Sequence, residues 1–230
     1  MENIAIVLAA GRGKRMQSET PKQFLLLKDR PVICRCLDCF QNSPLITGIL
    51  VVTEEEYIPY CREEIVSRYG YSKVRAVISG GNERYDSVYQ GLLQCDGADY
   101  VFVHDSARPF IDEALLERCF AGAREYGACI AAVRVKDTIK TGDENDFVKD
   151  TPDRAFLWSI QTPQVFSASL LKRAYDLQRE KGMEGITDDA MVVEKALGHP
   201  VKLAWGSYRN IKITTPEDLP VALQILAEEL

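Results

Sequence analysis

The stretch that most constrains this chain is its opening. An apolar run, Ile4-Ala5-Ile6-Val7-Leu8-Ala9-Ala10, leads into Gly11-Arg12-Gly13-Lys14-Arg15-Met16, with Pro21-Lys22 shortly after. The run has the length and branching of a buried parallel strand, and its two glycines let the following turn bring backbone N–H groups close to an anion. Lys14, Arg15 and Lys22 set positive charge beside that turn. Two familiar phosphate loops are excluded. A dinucleotide fingerprint needs Gly or Ala where Met16 stands, and no Gly-Lys-Ser/Thr follows at the spacing of a Walker loop. The expectation is a nucleotide triphosphate held at the end of the first strand.

With 230 residues, 46% of them hydrophobic and 27% charged, the chain can bury one substantial core as a single domain, residues 1–230. A net charge of -6 argues against a nucleic-acid binder, whose affinity comes from a broad basic face, so any positive field is local to a pocket. No charged-then-apolar leader precedes the first strand, and no apolar stretch approaches the roughly 20 residues that cross a bilayer. A cytoplasmic protein without a membrane partner is expected. The seven cysteines are odd in number and scattered, which suggests reduced thiols. Only Cys34, Cys36 and Cys39 cluster; on a helix after Pro31, residues two apart point roughly 200° apart, so Cys34 and Cys36 cannot both face one metal, and core packing is the expectation.

Apolar, β-branched segments at residues 4–10, 49–53, 74–79, 100–104 and 129–135 alternate with helical patterns at about 31–40, 54–69, 86–93, 112–126, 168–181 and 188–197. That alternation implies an α/β fold with a parallel sheet covered by helices on both faces. Thr215-Pro216-Glu217-Asp218 announces a last helix, with Thr215 as its cap and Pro220 producing either a kink or a later start. Residues 137–159 break the rhythm and read as a hairpin arm. An isolated hairpin is marginal in water, so exposed Phe147, Phe156, Leu157 and Trp158 would want a partner surface, most economically in a homodimer.

Open α/β sheets bind ligands outside the carboxyl ends of their strands, where the polar motifs of this chain fall. Gly80-Gly81 permits close approach of a flat base, and Asp86 and Ser87 are plausible caps that could also read a base edge. Asp105, at the end of an apolar strand, could hold Mg²⁺, bind a ribose or polyol hydroxyl, or steady Arg108, with polar substrate contact favoured. His104 lacks a relay of Ser, Cys or carboxylate and reads as a buried, hydrogen-bonded histidine, whereas His199 in Gly-His-Pro reads as surface. Arg154 and Lys212 could bind a second phosphate, and Thr138, Thr162 and Thr187 could offer it hydroxyls.

Together, L-A-A-G-R-G-K-R-M, P-K-Q-F, G-G-N-E-R-Y-D-S-V, V-H-D-S-A-R-P, Q-T-P-Q-V-F, T-D-D-A and N-I-K-I-T-T-P-E-D-L resemble, in family order and over nearly the whole chain, the 2-C-methyl-D-erythritol 4-phosphate cytidylyltransferases of non-mevalonate isoprenoid precursor biosynthesis. The resemblance implies a Rossmann-like three-layer sandwich with a mostly parallel sheet, a homodimer joined partly through the arm, and Mg²⁺-dependent use of CTP. By matching motif, Arg15 and Lys22 would stabilise the transition state at the α-phosphate. Ala9, Ala10, Gly11, Gly13, Lys22, Gly81, Asn82, Ser87 and Asp105 would hold the nucleotide. Asp105, Arg108, Thr138, Arg154, Thr162, Thr187 and Lys212 would address the methylerythritol phosphate, with Thr138 and Arg154 entering from a partner's arm. Asn82 and Ser106 depart from the family's usual Asp and Ala, both small changes.

In the expected reaction a substrate phosphate oxygen attacks the α-phosphorus of CTP in line and expels pyrophosphate. The nucleophile is already an anion, so no general base is needed, and the catalytic residues are cations: Arg15, Lys22, Arg154 and Lys212. Mg²⁺ would be held mainly by the CTP phosphates. The alternatives are a ribitol-5-phosphate cytidylyltransferase, which shares the opening loop, and a regulatory protein that keeps the cradle without the transfer. Ala9-Ala10-Gly11 and Ile186-Thr187-Asp188-Asp189-Ala190 look more like the methylerythritol enzyme.

Overall fold

The computed structural model describes residues 1–11, 13–16 and 18–228; the side chain of Lys14, expected to add charge to the opening loop, lies outside the described residues. The chain enters on β1 (Asn3–Leu8) and makes two 3-10 turns, Lys14–Met16 and Lys22–Phe24, before the short pair β2 (Leu26–Leu27) and β3 (Arg30–Pro31). Then come α1 (Val32–Asn42), β4 (Gly48–Thr53) and α2 (Ile58–Tyr60), which continues as a π-helical stretch, Cys61–Ser67. They are followed by β5 (Val74–Ser79), α3 (Arg84–Leu92), β6 (Tyr100–Asp105), α4 (Glu113–Tyr126) and β7 (Ala128–Arg134). The arm carries β8 (Thr141–Gly142) and β9 (Val148–Asp150), and the chain ends with β10 (Trp158–Ser167), α5 (Ala168–Lys181), α6 (Asp189–Leu197), β11 (Lys202–Trp205) and α7 (Asp218–Ala227).

Seven strands form one sheet in the order β11-β7-β10-β6-β1-β4-β5. All six residues of β1 are buried, as are those of β4, because helices cover both faces. The period-two alternation of a strand sorts them: Ala5 and Val7 join Ile49, Val51 and Phe102 against α1, the π-helical stretch and α4, while Ile4, Ile6 and Leu8 join Leu50, Val101 and Val103 against α3, α5 and α6. Full burial of one such aliphatic side chain is worth about 1.5–3 kcal/mol. Cys34 and Cys36 are wholly buried in the first of these layers. α7 closes a smaller cluster in which Ile225 and Leu226 meet Met16, Leu27 and Phe110, so the opening loop rests on the last helix.

The sheet is parallel except at one place. β10 runs antiparallel to both β6 and β7, which it separates, with Gln164 opposite Val103 on one side and Ile130 on the other. Neither β10 nor β11 was among the five expected strands, so the fold is a mixed, mostly parallel Rossmann-like sheet. The last helix starts late, at Asp218. Thr215 does not cap it; the Asp218 carboxylate reaches back to accept from the N–H groups of Thr214 and Thr215, at 2.7 and 2.9 Å. Pro220 then falls in the first turn, where its missing N–H costs nothing and no kink is needed.

The arm is a hairpin whose turn is tied by Asp143, its carboxylate accepting from the N–H groups of Asn145 and Phe147. Phe147 and Phe156 stand 71% and 80% exposed on it. Leu157 and Trp158 do not share that exposure. Trp158 opens β10 opposite Arg134, whose guanidinium lies 4.1 Å from its ring centroid, and meets Trp205 edge-on at 5.5 Å, so its indole packs on the parent domain. No helix among the described residues is long and apolar enough to cross a membrane.

Candidate active site

β1 lies between β4 and β6, and the chain leaves β1, β4 and β6 for one helix layer but β5 for the other, so the loops beyond these carboxyl ends flank a crevice. A cleft of about 600 Å³ there is lined by Ala10 and Gly11 from the first loop, Glu54 and Glu55 after β4, and Ser79 through Arg84 with Ser87 after β5. Gly11 (φ 132°) and Gly13 (φ 55°) hold backbone conformations that side chains disfavour. Gly80 and Gly81 are needed for packing. A Cβ on Gly80 would lie 2.5 Å from the Ser87 hydroxyl, and one on Gly81 would lie 2.2 Å from the Asp86 Cβ. The loop therefore lies flat on the start of α3, where the Ser87 hydroxyl accepts from the Gly81 N–H at 3.2 Å. α3 begins two residues before its expected start, with Glu83 as the N-cap and Asp86 accepting from the Glu83 N–H in return, so the cap role falls on Glu83.

Pro21-Lys22-Gln23-Phe24 is bolted to this cleft by its other residues. Buried Gln23 donates through Nε2 to the Ala9 carbonyl at the end of β1, and Phe24 is held between Tyr57 and Tyr60, with ring centroids 5.3 and 5.0 Å away. Lys22 is thereby turned along Gly13, where a Cβ would stand 3.2 Å from its Cδ. The lysine ammonium is pushed down to about 8, by burial first and then by the charges of Lys212 and Arg15, with Asp105 and Asp218 opposing. Arg15 is exposed on its 3-10 turn.

A second pocket, of about 280 Å³, adjoins the first and is lined by Asp105, Arg108, Gln161, Thr162, Thr187 and Lys212 among others. Arg84 lines both. Of the residues expected to serve a second phosphate, Thr162, Thr187 and Lys212 converge here. β10 breaks register between Ile160 and Gln164, which turns Gln161 and Thr162 toward the crevice. Gln164 accepts through Oε1 from the N–H groups of Asp189 and Ala190 and donates to Asp188, fixing the start of α6 and with it Thr187. Asn210 donates to the Thr162 carbonyl at 2.9 Å, and the Arg108 guanidinium donates to the carbonyls of Asn210 and Ile160.

Asp105 is the hub. Its Oδ1 accepts from Arg84 Nε at 3.1 Å and its Oδ2 from Lys212 Nζ at 2.7 Å. Burial alone would raise its carboxyl, but Arg84, Lys212 and Arg108 together hold it well below the usual range, so it stays ionised. Of the readings open to Asp105, direct metal ligation fits worst, because both oxygens are already in ion pairs; among the described residues no cluster of three or more His, Cys, Asp or Glu side chains could hold a metal ion. His104 beside it is fully buried between the Thr162 hydroxyl, 2.9 Å from Nδ1, and the Arg108 carbonyl, 3.0 Å from Nε2. Burial pushes its imidazole down to about 4, so it is neutral and structural. His199 is half-buried against the Tyr126 carbonyl. Thr138 and Arg154 do not line this pocket; both are exposed on the arm, with Arg154 Nη1 donating to the Lys136 carbonyl at 2.7 Å.

Sequence reasoning left Arg84 without a role, although it sits inside Gly80-Gly81-Asn82-Glu83-Arg84-Tyr85-Asp86-Ser87. Its partner Asp189 is 105 residues away, and no local signal joins them.

A glycine-lined cleft beside a lysine, at the carboxyl edge of a mostly parallel sheet and adjoining a cationic pocket, defines a nucleotidyltransferase of the Rossmann-like class. Residues 3–228 match the family model of 2-C-methyl-D-erythritol 4-phosphate cytidylyltransferase (IspD). Proteins of that name from Lachnospira eligens and Geobacter metallireducens are 48% and 44% identical to this chain, the first over 96% of this chain and 97% of its own length, the second over all of both. The crystal structure of 4-diphosphocytidyl-2C-methyl-D-erythritol synthase from Anaerococcus prevotii superposes with a TM-score of 0.86 at 30% identity, covering 98% of this chain and 96% of that one. The cytidylyltransferase from Thermus thermophilus superposes with a TM-score of 0.78 at 30% identity, covering 96% and 98%. This chain belongs to the 2-C-methyl-D-erythritol 4-phosphate cytidylyltransferase family.

Proposed function

We infer that the protein transfers a cytidylyl group from CTP to 2-C-methyl-D-erythritol 4-phosphate, releasing pyrophosphate and forming 4-diphosphocytidyl-2-C-methyl-D-erythritol for isoprenoid precursor synthesis. The observation that carries the geometry is the shared wall: the nucleotide cleft and the Asp105–Lys212 pocket meet at Arg84, so two anionic substrates can be brought end to end. The substrate phosphate attacks the α-phosphorus in line. Repulsion between anions and charge building on phosphorus are the obstacles, and cations that are already in place answer both. Lys22, with Arg15, meets the α-phosphate charge, while Lys212 fixes the attacking phosphate. Asp105 and Thr162 lie where polyol hydroxyls would bind. Their ion pairs and hydrogen bonds orient them before any ligand arrives.

Mg²⁺ fits this site as an ion carried by the triphosphate, since Asp105 is spent on two cations; it would neutralise phosphate charge. Thr138 and Arg154 reach a polyol-phosphate pocket only from a second copy, which makes the working unit a homodimer joined through the arms, with exposed Phe147 and Phe156 covered. The cytoplasm is its compartment, where CTP is made available.

Pyrophosphate release from CTP with Mg²⁺, measured with methylerythritol 4-phosphate and in parallel with ribitol 5-phosphate, tests the reading. Strong preference for the first is expected, and Lys22→Ala should cut turnover by ~10²-fold or more without unfolding, as for loss of one preorganised donor. Preference for ribitol 5-phosphate would overturn the substrate assignment, and silence with both despite CTP binding would overturn the activity.

A further inference from the structure

Asp189 opens α6 and has no solvent exposure at all. A buried carboxylate is costly unless paired and hydrogen-bonded, and even then an apolar replacement is often neutral for stability. This one is fully engaged. Its Oδ1 accepts from the Tyr175 hydroxyl at 2.7 Å, its Oδ2 from Arg84 Nη2 at 2.9 Å, and its backbone N–H donates to Gln164 Oε1. Tyr175 is itself wholly buried, its ring stacked on Tyr89 at 6.1 Å, and the Tyr89 hydroxyl is tied to Asp176. A rigid line therefore runs from the outer face of α5 inward to one guanidinium.

Arg84 divides its fork between two carboxylates. Nη2 is held by Asp189 from behind, and Nε holds Asp105 in front, whose other oxygen holds Lys212. A lysine could not span both acids, because its single ammonium lacks the planar fork. Since Arg84 lines both the nucleotide cleft and the polyol-phosphate pocket, whatever sets its position sets the wall between the substrates.

We propose that Asp189 and Tyr175 are positioning residues for the transfer, acting through Arg84 to fix Asp105 and Lys212 where the polyol phosphate binds. The inference rests on the proposed cytidylyl transfer and names two residues outside its contact set. Without Asp189 the guanidinium keeps only the Asp105 bond and can swing, carrying Asp105 and Lys212 with it. The nucleotide cleft, built mostly of backbone and glycine, should feel this less.

The test is a kinetic cycle of wild type, Asp189→Asn, Arg84→Lys and the double variant, with KM for each substrate, kcat, the Kd for CTP and thermal unfolding recorded for all four. Asp189→Asn is expected to lose roughly tenfold or more in kcat/KM for methylerythritol phosphate, mainly through KM, as small misplacements in a site do, with CTP affinity changed by less than about threefold. The double variant should be no worse than Arg84→Lys alone, because both changes cut one line of action. Losses that multiply would overturn the proposal, as would a well-folded Asp189→Asn with wild-type kinetics, or a drop in kcat alone that tracks lowered unfolding temperature. Should Asp189→Asn fail to fold, Tyr175→Phe, which removes a single hydroxyl, reads the same coupling with Arg84→Lys. Wild-type transfer, measured in the same assay, checks the underlying activity by itself; active wild type with independent losses counts against this inference alone.

Discussion

Lys22 is a cation under pressure, and its protonation should be measurable as CTP binds. Its ammonium, at about 8 rather than 10.5, is depressed by burial and by Lys212 and Arg15. At pH 8.5 a group of that pKa is only about one quarter protonated. A triphosphate seated beside it favours the charged form and lifts the pKa back toward its ordinary value. Binding of CTP should then take up roughly three quarters of a proton at pH 8.5 and almost none at pH 6.5, where Lys22 is already charged. The sign follows directly: because the free-enzyme value is lowered, affinity is full below about 7 and is lost as pH rises through 8, by about tenfold at pH 9. Titration calorimetry at pH 8.5 in two buffers of different ionisation enthalpy reads the uptake as the difference in heat. Lys22→Arg, which cannot lose its proton in this range, should abolish both the uptake and the alkaline fall in affinity. Heats independent of buffer, or equal pH dependence in wild type and Lys22→Arg, would refute the placement of Lys22 against the phosphates.

The buried His104 makes the fold acid-sensitive: its folded pKa of about 4 lies below the 6.5 of an exposed histidine, so stability is full above 6.5 and falls as pH drops toward 4. At pH 5 this costs about 2 kcal/mol, read by urea unfolding as the extra loss of wild type over His104→Gln between pH 7 and 5; equal losses would show that the imidazole does not control the slope. Sedimentation should find a dimer for the wild type and a monomer once residues 140–157 are shortened to a tight turn, and Arg154→Ala should raise the KM for the polyol phosphate with CTP affinity intact. A monomeric, fully active wild type would defeat the arm's assignment.

The strands that could be read from the sequence are those whose environment is uniform. β1, β4, β6 and β7 announce themselves as apolar runs because helices bury both their faces, β5 at the sheet edge is read from its β-branched residues although only Val77 is buried, and the structure places each of the five within two residues of its expected ends. β10 hid behind Gln161-Thr162-Pro163-Gln164, whose polar Gln161, Thr162 and Gln164 the core tolerates because each of these three is hydrogen-bonded across the crevice. β11 is four residues at the sheet edge, too short and too exposed to carry a pattern. The site divides along the same line. Loops that leave strands could be located one by one, and Asp105, Lys22 and Lys212 stand together as expected; Thr138 and Arg154 do not, since a single chain keeps them on the arm. Arg84, Asp189, Tyr175 and Gln164 were out of reach because their roles lie in pairings between residues distant in sequence, which periodicity and capping rules cannot encode.

The reversed strand also sets a timetable for the growing chain. β6 and β7 share no edge and meet only through β10, which is made after both. Until residues 158–167 leave the ribosome, β6 presents the open backbone of Val101 and Val103, and β7 has no place in the sheet to dock. That interval, about sixty residues of synthesis long from the end of β6 to the end of β10, is when the nascent protein is most exposed to pairing with the wrong chain. The same strand delivers Thr162 and Gln164 to the crevice, so the step that closes the sheet also completes the pocket, and a chain cut short of it is left with neither.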